Sequence, residues 1–119
     1  MKKLVLAAAA GLLMAGSASA QSIGGMYNVE GTNLDGSPYK GTAEITLTSD
    51  TTCVIHWVTG GSTSDGICSR NDDAFAAGYV LGDAIGIVVY KVQGDGTMQG
   101  LWTIAGKDGN GTEKLIPAQ

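Results

Sequence analysis

A chain of 119 residues with seven basic and eleven acidic side chains carries a net charge of −4. It lacks the clustered cations that bind a phosphate backbone and the sign that docks to anionic lipid, which argues against nucleic-acid and membrane-surface partners. Nineteen glycines, two prolines and two cysteines suit a small domain rich in turns.

Lys2 and Lys3 precede an apolar run from Leu4 to Ala15, which ends in Gly16-Ser17-Ala18-Ser19-Ala20. A positive start, a short apolar middle and an Ala-x-Ala ending predict a secretory signal peptide over 1–20, cut before Gln21. The run is too short for a membrane anchor, and no cysteine at the cut could carry a lipid. The mature chain, 21–119, is expected to be one exported domain, periplasmic or extracellular in a bacterium. Losing Lys2 and Lys3 leaves five basic residues against eleven acidic ones, a net charge of −6.

Alternation with period two dominates the mature chain. Tyr27 and Val29 alternate with Asn28 and Glu30. Tyr39-Gly41-Ala43-Ile45-Leu47 interleave with Lys40-Thr42-Glu44-Thr46-Thr48, the pattern of a half-buried strand. Asp35-Gly36, Gly60-Gly61, Asp65-Gly66, Asp95-Gly96 and Asp108-Gly109 supply turn residues. Strands are expected near 26–31, 39–48, 52–59, 65–70, 74–80, 84–92, 97–105 and 111–116. The best helical stretch, Asp72 to Leu81, is interrupted by Gly78. Ile85, Ile87 and Val89 face one way and Val88, Tyr90 and Val92 the other, so the strand Ile85–Val92 is apolar on both sides and is a candidate contact between copies.

Two similar hairpins bracket the domain. Tyr27-x-Val29-x-Gly31 followed by Asp35-Gly36-Ser37 is echoed by Tyr90-x-Val92-x-Gly94 followed by Asp95-Gly96-Thr97, with a longer connection expected in the first copy and a tight Gly94-Asp95-Gly96 turn in the second. The expected fold is all-β: a small antiparallel up-and-down barrel of about eight strands, avidin-like or lipocalin-like in architecture, whose first and last strands meet. Inward glycines such as Gly41 and Gly100 would let it coil sharply.

Cys53 and Cys68 are expected to form a disulfide, because exported thiols pair by default. If they lie opposite each other, the hairpin centre falls at Gly60-Gly61. A four-residue loop, Thr59 to Ser62, would put them at a close, non-hydrogen-bonded pair and is preferred over a two-residue loop on that ground.

Chemistry-bearing patterns are sparse. Lys107-Asp108-Gly109-Asn110-Gly111-Thr112 looks like the middle of an EF-hand loop, but Gly106 and Pro117 stand where its terminal carboxylates belong, so a turn is expected and no metal. His56 is the only histidine and alternates to the face opposite Cys53, Ile55 and Trp57; no nucleophile elbow accompanies it. Asp72-Asp73, with Asp65 and Asp83 nearby, reads as solvated turns rather than a carboxylate pair held across a cleft. No cofactor motif is present, and a noncatalytic protein is expected. The candidate ligand or partner contacts are the aromatics Trp57, Trp102, Tyr39, Tyr79 and Tyr90, together with His56. Such rings either fill a barrel or form stacking platforms at its mouth.

Tyr27 through Ser37, Cys53 through Trp57, Gly66-Ile67-Cys68, and Gly100 through Gly106 with Gly111-Thr112-Glu113 resemble a family of small exported bacterial proteins often labelled "fibronectin-binding protein". The resemblance implies an extracellular protein-binding role and assigns no site residues. Together these readings favour an exported binding module for a host or envelope protein or a glycan. Two alternatives stand beside it. One is a small apolar-ligand carrier, favoured if the barrel is hollow with Trp57 or Trp102 lining it. The other is a hydrolase inhibitor presenting Asp35-Gly36-Ser37-Pro38-Tyr39.

Overall fold

A computed structural model describes residues 22–119; the expected signal peptide lies outside them. Eight strands follow one another in chain order: β1 Gly25–Thr32, β2 Pro38–Leu47, β3 Thr52–Thr59, β4 Ser62–Asn71, β5 Ala74–Leu81, β6 Ala84–Val92, β7 Met98–Ile104 and β8 Gly111–Pro117. Each pairs antiparallel with its neighbour, and β1 pairs with β8, so the meander closes into a barrel with no free edge. Asp72 to Leu81 contributes β5 rather than a helix. Gly78 sits within that strand directly opposite Ile67 and Ile87.

Alternation decides which side chains enter the barrel. Tyr27 and Val29 of β1, Ala43 and Ile45 of β2, Cys53, Ile55 and Trp57 of β3, Phe75, Ala77 and Tyr79 of β5, Val88 and Tyr90 of β6 and Leu115 of β8 are all buried. Their intervening neighbours face outward. On β6, Ile85, Ile87 and Val89 are exposed and join Val54, Ile67, Val80 and Leu101 in an apolar outer face that runs across β3 to β7.

The turn between β3 and β4 differs from the preferred expectation. Thr59 pairs with Ser62, so the loop is the two-residue Gly60-Gly61, not a four-residue one, and β4 begins at Ser62 rather than near 65. The reason is local: Gly60 and Gly61 both take positive φ, 55° and 82°, and a turn of that kind matches the twist of the flanking strands. Cys53 and Cys68 still lie opposite each other and form a disulfide, with Cα atoms 4.9 Å apart. Reducing it is expected to cost about 3 kcal/mol of stability by releasing a short loop of the unfolded chain. Denaturant titration with and without reductant measures this, and the reduced protein should remain folded because eight ladders close the barrel without the disulfide.

The two echoed hairpins are also more alike than expected. Both loops hold five residues, since Thr32 pairs with Pro38 and Val92 with Met98. In each, the aspartate accepts from the backbone N–H and hydroxyl of the residue two positions on, Asp35 from Ser37 and Asp95 from Thr97, and the intervening glycine has φ 89°. These bonds hold both carboxyls below the usual aspartate range.

The barrel ends are unequal. At one end Ile23 is buried beneath the strands, and its carbonyl accepts the Tyr27 hydroxyl at 2.7 Å. The loops after β1, β3, β5 and β7 surround the other end.

Candidate functional site

At that second end the barrel opens into a cavity of about 200 Å³. Its walls include Tyr39, Trp57, Tyr79, Val88, Trp102 and Glu113, and its rim includes Asn33, Thr59, Gly60, Ser62, Ser64, Leu81 and Ile104.

Glycines make room for the rings. Tyr39 lies opposite Gly31, Tyr79 opposite Gly86 and Trp102 opposite Gly111, each pair directly across two strands. A methyl group at Gly86 or Gly111 would stand 2.3 Å from the facing ring, too close for any heavy atom. The aromatics therefore lie against bare backbone on the wall, which leaves the mouth open where upright rings would fill it. Tyr90, deeper in the barrel, lies against Gly100 in the same way and stacks on Phe75 at 5.3 Å.

Glu113 is the polar centre. Gly111, Glu113 and Leu115 alternate inward along β8 while Thr112 and Lys114 point out, so the carboxylate enters the barrel at 7% exposure. Three neutral donors from three other strands converge on it. Trp57 Nε1–H donates to Oε2 at 2.9 Å, the Tyr39 hydroxyl donates to Oε1 at 2.7 Å, and the Tyr90 hydroxyl donates to Oε2. Among the described residues no buried side-chain nitrogen or oxygen lacks a partner. The remaining ring groups are satisfied by backbone: Trp102 Nε1–H donates to the Thr112 carbonyl at 3.2 Å, and the Tyr79 hydroxyl to that of Thr103 at 3.2 Å.

The tyrosines titrate accordingly. Burial, then the negative charge of Glu113, pushes Tyr79 up to about 12. The same two causes, in the same order, raise Tyr39 further and hold Tyr90 well above the usual phenol range. At physiological pH all these hydroxyls are protonated and available as donors.

The structure thus brings four of the sequence-derived candidates, Trp57, Trp102, Tyr39 and Tyr79, to one cavity. Trp57 meets Tyr79 edge to face at 5.3 Å, and Tyr39 meets Trp102 at 6.3 Å. Tyr90 supports the floor through Glu113. His56 is elsewhere: it faces out from β3, where its Nδ1 lies 2.6 Å from Asp65 Oδ1 on β4. Cys53 and Cys68 are joined below the cavity. Glu113 escaped the sequence reading, although its place between inward Gly111 and Leu115 was a signal for an inward acid. Among the described residues no group of three or more His, Cys, Asp and Glu side chains could hold a metal ion.

No protein-family model and no curated protein matches the chain. Solved structures do resemble it in fold. A redesigned β-barrel matches with a TM-score of 0.72 at 17% identity, over 85% of this chain and 96% of its own. The redesigned barrel mFAP1, bound to DFHBI, matches at 0.70 and 21% identity over 82% and 97%. A de novo designed fluorescence-activating barrel matches at 0.66 and 17% identity over 84% and 97%. At these identities the likeness concerns the closed eight-stranded barrel alone.

Proposed function

We propose that this protein is an exported, noncatalytic barrel that binds a small molecule in the cavity at its open end. The observation that carries the reading is the lining: Trp57 and Trp102 both face a hollow mouth, which is the condition that favours a carrier over a filled structural barrel. An apolar, aromatic concavity with a few placed polar groups is the usual form of a small-molecule site. The cavity is smaller than the roughly 300–1,000 Å³ of drug-sized sites, so the ligand is small or enters by one group. The similar barrel mFAP1 is described as bound to DFHBI, which supports a ligand-binding use of such a barrel. Export and the noncatalytic reading both rest on the sequence: the N-terminal pattern for the first, and the lack of a nucleophile-elbow motif beside His56 for the second.

Both tryptophans of the chain line the cavity, so their fluorescence reports on its occupancy. Titration with a panel of small aromatic, aliphatic and amine compounds is expected to give a saturable change with at least one class. Ser64→Phe, placed beside Trp57 on the wall, is expected to abolish that change while far-ultraviolet circular dichroism stays that of the barrel. No saturable response across the panel, or binding indifferent to Ser64→Phe, would overturn the reading.

A further inference from the structure

We infer that the cavity selects a small organic cation, an ammonium group held between the aromatic walls and Glu113. This rests on the cavity being a ligand site and goes further by naming the ligand's chemistry.

The charge inventory is one-sided. Glu113 is the one carboxylic acid among the lining residues, and no lysine, arginine or histidine lines the cavity. Lys114, next in sequence, points out by strand alternation, and across the barrel wall it pairs with outward Glu30 and Gln99. The donors that reach Glu113 are two phenols and an indole, all neutral. They spread its charge over three hydrogen bonds but cancel none of it. An ionised carboxylate offers about four acceptor positions, and these three bonds leave one unfilled.

The walls act with the same sign. Tyr39, Trp57, Tyr79 and Trp102 surround the space above the carboxylate, and their faces carry the negative part of the ring quadrupole. A cation within about 6 Å of such a face is attracted, indole most strongly. Edge-to-face pairing of Trp57 with Tyr79, at 63° between planes, and of Tyr39 with Trp102, at 68°, sets the two ring planes of each pair at steep angles, so the four rings do not all lie parallel. A low-dielectric concavity lined by one sign of charge focuses its field on the ligand. An anion would meet that field with no basic side chain to receive it, and a neutral ligand would gain only contact area.

The test uses mature, disulfide-intact protein and three matched probes followed by tryptophan fluorescence and calorimetry. They are choline, its neutral analogue with carbon in place of nitrogen, and the corresponding carboxylate of similar size. Choline is expected to bind at least about tenfold more tightly than the neutral analogue, with the carboxylate weakest. Glu113→Gln should narrow the preference for choline over the neutral analogue several-fold, leaving the part that the rings supply. Should that variant fail to fold, Trp102→Leu, which removes a rim ring, should weaken choline several-fold more than the neutral analogue. Equal binding of the charged and neutral probes, or tighter binding of the carboxylate, would overturn the cation inference and leave the small-molecule reading standing. Failure of all three probes also overturns it, and the broader compound panel then decides separately whether the cavity binds anything.

Discussion

Glu113→Leu is expected to destabilise the barrel by about 3 kcal/mol, although it replaces a buried acid with an apolar side chain of similar size. Burying a carboxylate is costly, and exchanging a complete buried ionic group for hydrophobic residues is often neutral or stabilising. Here the exchange is incomplete. Trp57 Nε1–H and the Tyr90 hydroxyl, on side chains 4% and 2% exposed, would stay inside the barrel with no acceptor. Each stranded donor costs about 1–3 kcal/mol, which outweighs what Leu recovers by its contact area. For a domain of this size the loss corresponds to a fall in Tm of roughly 15 °C. Tyr90→Phe removes one stranded donor, so Glu113→Leu combined with Tyr90→Phe should be less destabilised than the sum of the two single changes. Denaturant unfolding of the four proteins measures this cycle. A Glu113→Leu protein as stable as the wild type would show that the network contributes nothing to holding β8 against β2, β3 and β6.

Alkaline titration should give the second large effect. All four tyrosines, Tyr27, Tyr39, Tyr79 and Tyr90, have folded pKa values above 10.0; burial is the first cause in each, and the charge of Glu113 adds to it for the last three. The unfolded chain ionises its phenols near pH 10, while the folded chain still holds those protons. The folded state therefore binds more protons, and stability falls as pH rises. The tyrosine contribution is complete below pH 10 and declines from there through the folded value of Tyr79, about 12. Tyrosinate absorbance is expected to stay flat through pH 10 and then appear together with the loss of the circular dichroism of the barrel, in one transition. Four phenols titrating near pH 10 with the barrel intact would contradict the burial described for them.

Much of this architecture was legible in local chemistry. Period-two alternation located all eight strands, because each strand has one face in the barrel and one in water, and Asp-Gly and Gly-Gly dipeptides located four of the seven turns, whereas Asp65-Gly66, also expected to turn, lies inside β4 because its residues continue the ladder to β3. The errors were of geometry. The Gly60-Gly61 loop was expected to be four residues long on the grounds of disulfide spacing, yet two consecutive glycines can take the left-handed angles of a two-residue turn, and that local preference prevailed. The Asp95 loop was expected to be tighter than the Asp35 loop because Gly94 and Gly96 flank it, yet both follow the same aspartate hydrogen-bond pattern.

The candidate site was legible only as a set of residue types. Trp57, Trp102, Tyr39 and Tyr79 could be named, but whether they filled the barrel or opened it depended on glycines such as Gly86 and Gly111 on adjacent strands, and therefore on register. His56 drew notice as the only histidine, and alternation alone placed it on the outer wall. The inward facing of Glu113 could be read from its alternation with Gly111 and Leu115, but its partners could not. Its partners Trp57, Tyr90 and Tyr39 lie 56, 23 and 74 positions away, and only barrel closure, with β8 returning to β1, brings them together.

Nuclear magnetic resonance of the two indole N–H groups decides whether ligands enter the mouth lined by both tryptophans. Trp57 Nε1–H is bound to Glu113 and Trp102 Nε1–H to the Thr112 carbonyl, so each indole should give a distinct and sensitive signal. On titration with a ligand, both signals are expected to shift with one saturation curve while the backbone amides of outward Ile67 and Ile87 stay in place. Shifts confined to those outer amides, with both indoles unmoved at saturation, would contradict the account and put binding on the barrel surface.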